Sequence, residues 1–77
     1  MAGDPDLIHT DPKIMRGKPV VRGTRLTVEF ILGLMAGGWT EAEIFESYPS
    51  LNRDALLACL AYARDTVERA HPARSAA

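Results

Sequence analysis

The side chains best suited to acid–base, nucleophilic or metal chemistry are few in this sequence and lie far apart. The two histidines, His9 and His71, stand near opposite ends of the chain, and the single cysteine, Cys59, lies in an apolar run. Neither histidine has a cysteine or carboxylate at the spacing that a zinc site requires. Cys59 and His9 as a nucleophile–base pair lack a third group to orient the base. We therefore expect no metal site, no cofactor and no enzymatic activity.

Positive charge is concentrated in residues 13–25, although the chain as a whole has a formal net charge of −1. This stretch contains no acid and five cations, which are Lys13, Arg16, Lys18, Arg22 and Arg25. Such an asymmetry allows one end of a nearly neutral molecule to attract an anion, for example a nucleic-acid phosphate. The alternative is a solvated β ribbon whose cations protect a sheet edge from aggregation. The charge pattern leaves both interpretations open.

Two β-prone runs are predicted to position these cations. Residues 7–9 are typical of a short strand, which a Thr-Asp-Pro turn ends. Residues 19–22 form the second run, with Pro19 at a strand start, where proline is tolerated. The two runs pair either with one another or with a second copy of the chain in a dimer. Gly23 and Thr24 then turn the chain towards the helical part.

Two helices are predicted between Thr27 and Pro49. Thr27 is a suitable N-cap for the first, which ends at the glycine pair 37–38. The second begins at Thr40 and Glu43, whose spacing is that of a capping box, and Pro49 ends it. No residue from 30 to 39 is charged. Since a helix that is apolar all round must be buried all round, the first helix is predicted to be central or shared between two copies.

A third helix is predicted from about residue 53 to residue 69, with Asn52 as its N-cap. Its predicted core stripe consists of Leu56, Leu60, Ala63 and Val67. Four apolar or aromatic side chains are predicted at a dimer or partner interface, namely Phe30, Leu34, Trp39 and Tyr62. For Trp39 we favour a second role, a hydrophobic staple that packs on Ile44.

The second and third helices, joined by a Pro-containing turn and preceded by the first, have the proportions of a helix-turn-helix unit. The fold predicted is therefore mainly α, a three-helix helix-turn-helix domain with a short N-terminal β segment. In it Arg53 enters the DNA major groove, while Arg16, Lys18, Arg22 and Arg25 contact phosphates. The start of the third helix offers few other polar side chains for reading bases. That scarcity favours the rival hypothesis, a protein-interaction module that never contacts nucleic acid.

A chain of 77 residues makes one domain close to the lower size limit for independent folding. We place this domain at residues 7–70, between a flexible leader at 1–6 and a flexible tail at 71–77. One cysteine permits no internal disulfide, which fits a reducing cytoplasm, and no stretch is long enough to cross a membrane. Because association is the remaining way to bury more surface, we expect a homodimer.

Residues 11–25 form a distinctive signature, which reads Asp-Pro-Lys-Ile-Met-Arg-Gly-Lys-Pro-Val-Val-Arg-Gly-Thr-Arg. Together with Gly-Gly-Trp-Thr-Glu at 37–41 and Tyr-Pro-Ser-Leu at 48–51, it resembles the bacterial and archaeal family known as domain of unknown function 433. The resemblance covers about residues 7 to 69. It implies a small homeodomain-like or winged-helix-like domain.

Many members of that family are similar to antitoxins of the VapB type, commonly encoded beside a nuclease-like toxin with a PIN-type fold. The resemblance therefore implies two tasks for this chain, which are repression of its own operator and masking of a toxin. Longer antitoxins of this kind carry a separate DNA-binding region, which this chain has no room for. Either the domain itself binds DNA, or that activity is missing.

Overall fold

The computed structural model of the protein describes residues 4–71. It is mainly helical with a short two-stranded sheet near the N-terminus, as the sequence predicted. The elements are β1 (Ile8–His9), β2 (Val20–Val21), α1 (Val28–Ala36), α2 (Glu41–Ser47) and α3 (Arg53–Ala70), with a 3-10 helix at Pro5–Leu7 and a tight turn at residues 15–17. Within the described residues, no helix combines the length and apolarity needed to span a bilayer.

The two β-prone runs pair with one another inside one chain. Strands β1 and β2 are antiparallel, with Ile8 opposite Val21 and His9 opposite Val20. A further bridge joins Val20 to Thr27, so β2 lies between β1 and the start of α1. Val20 and Val21 are both buried, and Val21 belongs to the core that the helices form.

Each helix begins at the N-cap that the sequence predicted. The Thr27 hydroxyl accepts a hydrogen bond from the Phe30 amide at 2.9 Å. The capping box of α2 is complete, since the Thr40 hydroxyl accepts from the Glu43 amide and the Glu43 carboxylate accepts from the Thr40 amide. The Asn52 side-chain oxygen accepts from the Ala55 amide at 2.9 Å. These bonds satisfy helix amides that have no partner inside the helix.

The core is formed where α1 crosses the N-terminal half of α3, with a contribution from α2. Ile31, Ile44 and Leu56 are its largest fully buried side chains, one from each helix. Cys59 is also fully buried, and desolvation raises the pKa of its thiol from 9.0 to about 11. The thiol is therefore buried, as expected for a cysteine in an apolar run, and protonated at neutral pH.

The predicted core stripe of α3 is only partly correct, because Ala63 is half-buried but two other members of the stripe are exposed. Leu56 is buried, but Leu60 is 46% exposed and Val67 is 61% exposed. The inward face instead carries Ala55 and Cys59. Because an α-helix rotates by roughly 100° per residue, these two side chains point in directions about 40° apart around the helix axis. The stripe through Leu60 and Val67 lies to the side of this face and continues past the end of the core.

Within a single copy, α1 is not buried all round, so the prediction of a central helix is wrong, while a helix shared between two copies stays a prediction. Val28, Ile31 and Leu34 face inward, whereas Phe30 remains 42% exposed. Leu34, which is predicted at a dimer or partner interface, packs in the core of a single copy, and its interface role stays a prediction. The physical reason is that residues 4–71 contain too few elements to surround α1. The other helices and the sheet cover one side of α1 and leave the side around Phe30 open.

Part of the predicted flexible leader has a defined structure. Residues 5–7 form a 3-10 helix that contacts α3, and the Asp4 carboxylate caps it by accepting from the Asp6 amide. Residues 1–3 of the leader lie outside the described residues, as do residues 72–77 of the predicted tail. His71 directly follows α3, and its amide donates to the carbonyl of Val67.

Candidate recognition surfaces

Residues 13–25, the cationic loop, contain a turn in an unusual backbone conformation. Met15, Arg16 and Gly17 all have positive φ, at 48°, 59° and 81°. This left-handed region costs a non-glycine residue roughly 1–2 kcal/mol, and here two such residues adopt it in succession. Hydrogen bonds hold the turn, because the amides of Gly17 and Lys18 donate to the carbonyls of Ile14 and Met15. Strain that the surroundings enforce is typical of functional sites.

The turn directs Met15 and Arg16 to the outside. Met15 is 47% exposed and Arg16 is exposed as well. At the other end of the loop, the Thr24 hydroxyl donates to the Val21 carbonyl at 2.8 Å and accepts from the Leu26 amide at 3.0 Å. The cationic loop is therefore fixed at both ends by its own hydrogen bonds.

The five predicted DNA-binding residues fall into two groups. Three make polar contacts: Lys18 pairs with Glu29 at 2.9 Å, Arg22 Nε donates to the Asp6 carbonyl at 2.8 Å, and Arg53 lies 3.8 Å from Glu41. The other two, Arg16 and Arg25, make no ion pair within residues 4–71. Both ion pairs are exposed to solvent, and such pairs contribute little and exchange readily with other anions.

The structure brings some of these cations together and not others. Lys18 and Arg25 line the same groove, whereas Arg53 stands at the start of α3 beside the acidic N-terminus of α2. Ala55 and Ala58, which follow Arg53 on α3, are buried and cannot reach bases. The cationic loop and the start of α3 are thus separate features.

An apolar groove runs along the open side of α1. It has a volume of about 620 Å³. Its apolar lining is formed by Met15, Leu26, Phe30, Gly33, Leu34 and Tyr48, and its charged rim by Lys18, Arg25 and Glu29. The rings of Phe30 and Tyr48 meet edge to face with centroids 5.6 Å apart, which holds Phe30 in place.

Sequence reasoning did not identify Met15, Gly33 or Tyr48 as part of a recognition surface. Met15 adopts a positive φ, which local sequence patterns do not predict for a non-glycine residue. Gly33 did carry a signal, because glycine inside a helix destabilises it by about 0.5–1 kcal/mol relative to alanine. A glycine at such a position often indicates close approach of another group.

The two remaining aromatic candidates lie apart from this groove. Trp39 is exposed and lines a shallow cleft with Glu43 and Glu46. Its proposed role as a staple on Ile44 stays a prediction. Tyr62 is half-buried against the core and lines a cleft of about 390 Å³ between α3 and the N-terminal segment, together with His9 and Arg69.

Comparison with known proteins assigns the chain to a family. The model for the protein family of unknown function DUF433 matches residues 8–63. The chain belongs to the DUF433 family. It is 32% identical over 63 residues to uncharacterized protein y4eO of Sinorhizobium fredii (strain NBRC 101917 / NGR234), covering 82% of this chain and 28% of that protein.

A solved structure shares the fold. The crystal structure of a DUF433 member protein from Anabaena variabilis ATCC 29413 superposes with a TM-score of 0.75 at 25% identity, covering 82% of this chain and 62% of that one. The present chain therefore spans less than two thirds of either relative. The names of these two proteins state no activity, ligand or partner.

Proposed function

We propose that this protein is the antitoxin of a two-protein toxin–antitoxin pair and binds the DNA upstream of its own gene as an autoregulator. The observation that carries DNA binding is the cationic loop, which presents five cations and no acid from a fixed backbone. The resemblance to VapB-type antitoxins supports the antitoxin role.

The cationic loop suits phosphate binding for a physical reason. Arg16 and Arg25 are exposed and make no ion pair within the described chain, so binding an anion there breaks no existing contact. Lys18 exchanges its exposed partner Glu29 for a phosphate at little cost. Each phosphate neutralised in this way releases counterions from the DNA and adds to affinity.

The helices α2 and α3 suit DNA less well. Exposed glutamates dominate α2, and the first exposed cation of α3, Arg53, lies beside one of them, Glu41. We therefore assign the main phosphate contacts to the cationic loop and give Arg53 a minor role. This departs from the arrangement expected for a helix-turn-helix domain, in which the third helix makes the base contacts.

A fluorescence-anisotropy titration of labelled upstream DNA at several salt concentrations tests DNA binding. We expect affinity to fall steeply with salt, with a slope of about 0.9 per phosphate contacted. Arg16→Glu should weaken binding and lower the slope by about 1 or more. Arg16 is chosen because it does not line the apolar groove.

Arg69→Glu is the matched control, since it makes the same charge change at an exposed site on α3 that has no ion pair within residues 4–71. Equal losses for the two variants would indicate a general charge effect and contradict a role for the loop. Salt-independent binding, or equal binding to random DNA, would contradict the autoregulator.

A second candidate function is a toxin-binding module that does not contact DNA. The exposed apolar side chains of α3, Leu60 and Val67, favour it, because no described part of the chain covers them. Co-expression with the protein encoded by the neighbouring gene tests this candidate. Leu60→Asp/Val67→Asp should abolish co-purification and protection from toxicity, whereas Arg16→Glu should leave both unchanged.

A further inference from the structure

We infer that the apolar groove on α1 binds a second copy of this chain in a two-fold symmetric dimer. In this dimer, Phe30 of each protomer enters the hollow above the partner's Gly33. The exposed ring and the hollow lie on the same helix and line the same groove. Three observations support this assignment, and none of them depends on DNA or on a toxin.

The first observation is that nothing within the described chain requires glycine at position 33. A Cβ added there meets no atom within 4 Å, and its φ lies outside the left-handed region. Alanine at a mid-helix position would be favoured by about 0.5–1 kcal/mol. The absent side chain therefore leaves open a space that the monomer does not fill.

The second observation is the spacing of the exposed ring and the hollow. Phe30 and Gly33 are three residues apart, so they lie on one face of α1, roughly one turn from each other. A two-fold axis between them superposes the ring of each copy on the hollow of the other. Such an isologous contact needs one surface that is complementary to itself. The edge-to-face contact with Tyr48 restricts Phe30 before binding, which lowers the entropic cost of association.

The third observation is the charge on the groove rim. Lys18 and Arg25 lie there together with Glu29, whose side chain is 76% exposed despite its pair with Lys18. A second copy brings one acid and two cations of its own, so each Glu29 can face the partner's Arg25. This cross-pairing requires a partner whose rim carries both signs of charge, as that of a second copy does.

Sedimentation equilibrium of the purified protein without DNA tests the inference. We expect wild type to be dimeric at tens of micromolar, and Gly33→Leu to raise the dimer Kd by about tenfold or more. Ala42→Leu adds the same side chain to an exposed position of α2 outside the groove and should dimerise like wild type. A monomeric wild type, or equal Kd values for Gly33→Leu and wild type, would overturn the inference.

A second set of variants tests the role of Gly33 and the two-fold orientation of the protomers in the dimer. Gly33→Ala should raise the Tm of the monomer at dilute concentration and weaken the dimer, a combination that general destabilisation cannot produce. Glu29→Arg should weaken the dimer by like-charge repulsion, and Arg25→Glu/Glu29→Arg should restore it. Failure of the double variant to restore dimerisation would overturn the proposed two-fold arrangement. Loss of DNA binding in Arg16→Glu with an intact dimer would leave this inference unaffected.

Discussion

The cationic loop and the pair α2–α3 reach their conformations in different ways. Each helix of the pair begins at a cap made by residues three apart in sequence, Thr40 with Glu43 and Asn52 with Ala55. The loop adds contacts of longer range to its own local hydrogen bonds, such as that of Arg22 with the carbonyl of Asp6, sixteen positions away. Its turn at residues 15–17 is also held in a conformation that its non-glycine residues disfavour.

This difference separates structural from functional signals. Caps and a buried inner face explain why α2 and α3 form, and they leave little on the outside of α2 except carboxylates. The loop is costly in backbone energy, and it presents cations and exposed apolar surface. Strain without a packing benefit is the pattern expected where a surface serves recognition.

The largest effect that tests this comparison concerns two leucines of α3. Leu56→Ala should lower the free energy of unfolding by about 2–5 kcal/mol, because it opens a cavity in the core. Leu60→Ala removes the same atoms from an exposed site and should change the free energy of unfolding by less than about 0.5 kcal/mol. Chemical denaturation measures both. Similar losses would mean that α3 rotates to bury Leu60, contrary to the fold described above.

Cys59 provides the next largest effect. Because burial raises the pKa of its thiol from 9.0 to about 11, the native thiolate fraction at pH 8 is about 100-fold lower than in the unfolded chain. Alkylation of the native protein at pH 8 should therefore be slower by about that factor than in denaturant.

The raised pKa also has a consequence for stability. The folded state holds the thiol proton more tightly than the unfolded chain does, and this difference adds to the free energy of unfolding. The added stability is fully present below pH 9.0 and is lost as the pH rises towards 11. Cys59→Ala should remove this part of the pH dependence. Fast alkylation of the native protein would contradict the burial of Cys59.

A smaller effect is expected from the cap of α3. Asn52→Ala removes the acceptor for the Ala55 amide and should cost about 1 kcal/mol of stability. Ser50→Ala, two residues earlier at an exposed position, should be close to neutral. Thermal unfolding of both variants checks the difference. An equal, small shift in Tm would mean that the cap contributes nothing.

How far the sequence predicts this molecule depends on the range of the interactions involved. Thr27, Thr40 and Asn52 were identified as caps because capping is a contact between near neighbours. The inward face of α3 was misassigned because Leu56, Leu60 and Val67 form an equally apolar stripe, and only the position of α1 decides which part of it is covered. Arg16 and Arg25 were predicted from charge alone to contact phosphates, and the structure adds that both are exposed. The groove was missed because it joins residues 15, 33 and 48, which are far apart in sequence.

The smallest effect tests the loop itself. Arg16 has φ of 59° and ψ of 31°, a conformation that glycine adopts without penalty. Arg16→Gly should therefore leave stability unchanged or raise it by up to about 1 kcal/mol, although glycine gains entropy in the unfolded chain. Arg25→Gly lacks the relief of strain, because the φ of Arg25 is not positive, and it should lower stability slightly.

Opposite signs for these two variants in chemical denaturation would show that the strain at position 16 is real and is tolerated for the sake of the arginine side chain. If Arg16→Gly is as destabilising as Arg25→Gly, the turn is not strained, and the contrast between the cationic loop and the capped helices loses its energetic basis. If Arg16→Gly is more stable and also binds upstream DNA less tightly, the same residue links backbone cost to recognition.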